Sequence, residues 1–165
     1  MRLFTLLLIL ITATTSLPAQ SSPSLVGSWR LISTGRVDSA GRFVPTWDDH
    51  PDGRIMYTAD GQMSAQLYDT RRPKLGVDWN AAEPESARRA FVGLVTYFGR
   101  YSVDTAARTV THDVEGAMSP DWIGSKLVRA YRFIPPNRIE LRVLTTSSGG
   151  RATSGTVLVW ERVGR

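Results

Sequence analysis

The chain has 165 residues, 42% hydrophobic and 21% charged, with no cysteine and a formal charge of +5. That is one domain's worth of chain, long enough to bury a sizeable core. The apolar content excludes a disordered protein, and the missing cysteines exclude a disulfide scaffold, cysteine zinc sites and thiol chemistry.

The first segment reads as an address. Arg2 supplies a positive charge, Leu3 to Ile11 is almost unbroken apolar, and small or polar residues follow to Ala19-Gln20. A charged start, a short apolar run and a small-residue cleavage zone make a secretory signal peptide over 1–20. The apolar run is shorter than the ~20 residues a membrane span needs. No cysteine follows it, so a lipoprotein anchor is excluded. Cleavage removes Arg2 and no acid, leaving 19 basic against 15 acidic residues. The expected location is secreted or periplasmic, with no stable membrane insertion after cleavage. Export argues against nucleic acid, ATP and nicotinamide cofactors as partners, and no cofactor is implied.

Residues 21–165 then form one domain of short strands separated by turn signals. Leu25 to Thr34 and Arg42 to Thr46 read as strands, joined over Asp38-Ser39-Ala40-Gly41. Pro51-Asp52-Gly53 reads as a turn, and Arg54 to Thr58 as a strand. Asp60-Gly61 is a hairpin signal, with Gln62 to Tyr68 as the return strand. Pro84 suits a first helical turn. From there Ala87, Ala90, Phe91, Leu94, Val95 and Phe98 recur at helical spacing, and Gly99 is a plausible end. Strands resume over Arg100 to Asp104, Arg108 to Glu115, Leu127 to Ile134, Arg138 to Thr145 and Thr153 to Val163. A loop from Gly116 to Gly124 and the turns Pro135-Pro136-Asn137 and Ser147-Ser148-Gly149-Gly150 separate them. About nine strands with one mid-chain helix argue an antiparallel barrel or sandwich; a parallel sheet would need more crossover helices. In the last strand Leu158 and Trp160 share one face, while Val157, Val159 and Val163 share the other. Alternation alone does not choose the inward one.

Five pieces carry a resemblance: LVGSWRLIS, GRIMYTADGQMSAQL, FVGLVTYFGRYSVD, HDVEGAMSPDWIG and LVWERV, running from Leu25 to Val163. In this order they resemble the bacterial and fungal lipocalin-like domain family. The resemblance implies a single antiparallel up-and-down β-barrel of about 8–10 strands, with the helix near one end. It implies an interior able to hold a small, mostly hydrophobic molecule. It brings no catalytic motif. In lipocalins a Gly-x-Trp triplet opens the barrel, here Gly27-Ser28-Trp29, and the Trp closes the base beneath an Arg of the last strand. Arg162 holds that position here. The trio is read as structural.

His112 is the most informative single residue. Alternation puts Val110, His112 and Val114 on one apolar face, so the imidazole points inward, with Asp113 and Glu115 opposite. It is either a core histidine bonded to a tyrosine or backbone group, a ligand contact, or an acid or base. Tyr57, Tyr101 and Tyr131 share faces with apolar neighbours and are candidate ligand contacts. Each is equally readable as a core aromatic. Glu115 and Trp122, at a strand end, are candidates for a mouth; the stretch reads more readily as a turn with a packed Trp.

Asp48, Asp49, His50 and Asp52 are the one metal-like run, but turns are rich in Asp and the spacing fits no calcium loop; no metal site is assigned. Arg71-Arg72-Pro73-Lys74 and Arg88-Arg89 are the basic clusters, read as solvated faces that an acidic ligand or lipid headgroup can also attract. No phosphate loop or Gly-x-Ser-x-Gly elbow occurs, and no catalytic residue is assigned. The sequence therefore favours an exported barrel binding a small hydrophobic molecule. Two alternatives stay open: an isomerase- or cyclase-type enzyme using the cavity, and a structural or interaction barrel without ligand.

Overall fold

The computed structural model describes residues 24–47, 50–144 and 155–164. The expected signal segment, Asp48, Asp49 and the Ser147–Gly150 turn lie outside the described residues. Nine strands form one antiparallel sheet: β1 (Gly27–Val37), β2 (Phe43–Pro45), β3 (Pro51–Tyr57), β4 (Gln62–Asp69), β5 (Leu94–Asp104), β6 (Thr109–Ala117), β7 (Lys126–Ile134), β8 (Arg138–Val143) and β9 (Thr156–Arg162). From β3 to β9, sequence neighbours are sheet neighbours, and β9 pairs back onto β1. The sheet thereby closes into an eight-stranded barrel, with β2 a short addition to the far half of β1. Closure removes the unpaired edges that an open sheet of this length would expose.

The hairpin signal at Asp60-Gly61 joins β3 to β4, with Tyr57 opposite Met63. Gly61 takes a φ of +86°, a conformation that favours glycine. Pro51-Asp52-Gly53, expected as a turn, is instead the start of β3, paired with Leu67, Tyr68 and Asp69 of β4. Gly53 explains the misreading. A Cβ there would meet the Gln66 carbonyl and Leu67, so the residue allows close strand approach rather than a reversal.

The helix is shorter than its periodicity suggests. It spans α1 (Pro84–Val92) and stops at Gly93; Leu94 to Phe98 already belong to β5. No residue of α1 is buried, and Phe91 and Phe98 are exposed. The apolar face expected over 87–98 therefore mixes two elements. Leu94, Val95 and Phe98 satisfy helical spacing by coincidence, while the chain follows a strand's alternation, which turns Val95 and Tyr97 inward.

Inward residues fill the barrel with Trp29, Leu31, Ile55, Tyr57, Ala65, Val110, Leu127, Ile139, Leu141 and Trp160, all nearly inaccessible. Each full burial of a Leu, Ile or Val side chain is worth about 1.5–3 kcal/mol. On β9 the inward face is that of Leu158 and Trp160. A bulge between Phe98 and Gly99 of β5 leaves Glu115 of β6 without a direct partner, as Phe98 faces Gly116 and Gly99 faces Val114.

Candidate functional site

The barrel has one closed and one open end. At the closed end Trp29 donates its indole N–H to the Leu25 carbonyl at 2.8 Å. The Arg162 guanidinium lies 4.0 Å above the Trp29 ring. Arg162 also donates Nη1 to the Val26 carbonyl at 2.8 Å and Nη2 to the Ser24 carbonyl at 2.6 Å. One side chain thus ties the end of β9 to the start of β1. Gly27 makes room for it. Its φ is +134°, and a Cβ there would sit 2.5 Å from Arg162 Nη1.

Toward the other end lies a cavity of about 380 Å³. Ile55, Leu67, Val95, Leu141 and Leu158 form its apolar walls, and Val92, Trp47 and Trp122 border it where the chain leaves the barrel. Trp122 sits in a 3-10 turn over Pro120–Trp122. Its indole meets Tyr97 edge-on, with ring centroids 5.8 Å apart. Of the sequence candidates, His112 and Trp122 line the cavity.

His112 is fully buried and both ring nitrogens are engaged. Nε2 lies 2.8 Å from the Tyr57 hydroxyl and Nδ1 3.0 Å from the Tyr97 hydroxyl. The Arg129 side chain adjoins the Tyr97 hydroxyl. A guanidinium can only donate, so the Tyr97 oxygen accepts from Arg129. In the neutral imidazole one of these nitrogens donates to its tyrosine and the other accepts. Burial first, and the Arg129 charge second, lower the His112 pKa from its ordinary 6.5 to about 3. The imidazole is therefore neutral at physiological pH, a fixed link between two tyrosines. Burial likewise raises the Tyr57 and Tyr97 hydroxyls above their ordinary value, so both stay protonated.

The remaining candidates lie elsewhere. Tyr57 is buried in the core beneath His112. Tyr101 packs edge-on against Tyr57 and donates to the Thr58 carbonyl at 2.8 Å. Tyr131 stacks edge-on with Phe133, and both border a shallow depression with Leu25 and Tyr101 at the closed end. Glu115 stands on the outer face, 3.5 Å from Arg100. Among the described residues no three His, Cys, Asp or Glu gather as a metal site. The basic clusters have local partners: Arg71 pairs with Asp69, Arg88 with Glu85, and Arg72 covers the Tyr68 ring.

Sequence reasoning missed Arg129, Tyr97, Trp160 and Thr34, all of which line the cavity. For Arg129 the signal was present: it alternates with Leu127 and Tyr131 on the inward face of β7. Tyr97 was hidden by the overlong helix.

A closed eight-stranded antiparallel barrel, sealed at one end and hollow toward the other, is the architecture of small-molecule-binding barrels. The lipocalin-like domain model matches residues 26–163, and the protein belongs to that family. No curated protein matches the chain. Among the described residues no helix is long and apolar enough to cross a membrane.

Proposed function

We propose that the protein is an exported barrel, secreted or periplasmic, that holds a small, mostly hydrophobic molecule. The cavity carries this reading. Its volume of about 380 Å³ lies within the range of ~300–1,000 Å³ usual for ligand pockets, and its walls are chiefly aliphatic and aromatic. The charged, apolar and small-residue order of the first twenty residues supports export. His112 serves as part of the cavity's framework: neutral, with both nitrogens occupied by tyrosines, it has no free position for proton transfer.

The test is mass spectrometry on the mature protein purified from its exported location, under native and denaturing conditions, followed by solvent extraction. The expected result is a reproducible mass difference between the two conditions, with an apolar compound in the extract. A mature mass that begins near Ala19 or Gln20 supports export. An empty protein that also takes up no apolar probe would overturn the binding reading.

A further inference from the structure

The cavity contains a charge that no described carboxylate answers. Arg129 is only 6% exposed. Its strand partners are Val110 on one side and Val143 on the other. Along its own inward face it stands between Leu127 and Tyr131. Among the described residues no carboxylate lies within ion-pair distance of it. Besides adjoining the Tyr97 hydroxyl, it has one hydrogen bond, from Nη1 to the neighbouring Val128 carbonyl at 3.2 Å. The ion pairs among the described residues lie on the barrel's outer side, where charge is cheap; this guanidinium is in the interior, and no described carboxylate pairs with it. The buried indole Nε1 of Trp160, another cavity residue, also has no acceptor among the described residues.

We infer that the cavity's occupant is an amphipathic organic acid whose carboxylate pairs with Arg129 while its apolar body lies against the aliphatic walls. This rests on the small-molecule-binding reading above and narrows its ligand class. The planar guanidinium matches a carboxylate through two parallel N–H donors. A single negative charge neutralises the single buried positive one. A phosphate, with up to two charges, would leave one of them without a buried counter-charge among the described residues. At roughly 30 Å³ per heavy atom, the space accepts a molecule of about a dozen heavy atoms.

The test compares decanoate with decan-1-ol, which share a chain and differ in the charge of the head. Binding to the delipidated mature protein is followed by calorimetry at pH 7.5. Decanoate is expected to bind about tenfold or more tightly than the alcohol, the gain typical of a charge-assisted pair. Arg129→Met should bring the two affinities together, chiefly by weakening decanoate. Should that variant not fold, Arg129→Lys keeps the charge, loses the planar fork, and is expected to shrink the preference. The wild-type ratio alone remains decisive. Equal or tighter binding of decan-1-ol by the wild type would overturn the carboxylate inference and leave the apolar cavity reading intact. Failure of both probes to bind would overturn the two together.

Discussion

Acidification from pH 7 to 4.5 tests the buried His112 directly. Its pKa falls from 6.5 to about 3 on folding, chiefly through burial and then through Arg129. Between those values the unfolded chain binds a proton that the folded chain refuses. Stability therefore rises with pH across this window and is lost as pH falls through it. At pH 4.5 the unfolded imidazole is almost fully protonated and the folded one is not. The pKa difference then translates into a loss of about 2–3 kcal/mol. Asp38, Asp60, Asp69 and Glu85 are held below their ordinary values by hydrogen bonds, so their contribution falls away mainly below pH 4.5, the lower limit of the assay. The assay is urea unfolding followed by far-ultraviolet circular dichroism at both pH values, on wild type and His112→Gln. The wild type should lose the stated amount. The variant, though less stable at pH 7, should lose less than half as much. Equal losses in the two proteins would refute the assignment of a neutral, buried His112.

Three further perturbations follow from the same geometry. Arg162→Ala removes two carbonyl contacts and the cation above Trp29; unfolding should become easier by about 1–3 kcal/mol, a drop of several degrees in Tm by calorimetry. Gly99→Ala places a methyl group against the Asp113 carbonyl at the β5–β6 bulge and should cost about 2 kcal/mol or more, read as a lower urea midpoint. Leu158→Trp adds bulk inside the cavity; uptake of an apolar probe should weaken about tenfold or more while the far-ultraviolet spectrum is unchanged.

The barrel was legible because turn chemistry and alternation agree along most of the chain. Asp60-Gly61 and the run from Val110 to Val114 each carry one consistent signal. The stretch from Leu94 to Phe98 does not, because its apolar residues fit periods of both 3.6 and 2, and only pairing with β4 decides between them. The inward placement of His112 followed from its two valine neighbours. Its bonds to Tyr57 and Tyr97 did not, since they join three strands whose relative stagger a sequence does not state. Arg129 carries conflicting signals. Charged residues are usually solvated, yet alternation with Leu127 and Tyr131 puts this side chain inside.

The seam between β1 and β9 also governs how the barrel is assembled. Arg162 and Val26, which it brings together, are 136 positions apart. The other strand neighbours from β3 onward are consecutive in sequence and can form as a growing meander of hairpins. The seam can close only after the last strand exists, and it carries the largest loop-closure cost of any pairing in the sheet. Until then β1 and β8 each present a bare edge, able to pair with another chain as readily as with β9. Formation of this final seam is the step that turns a chain of local hairpins into a cooperative barrel. A chain cut short before Thr156 keeps the pairings from β3 to β8 and has no means of closing.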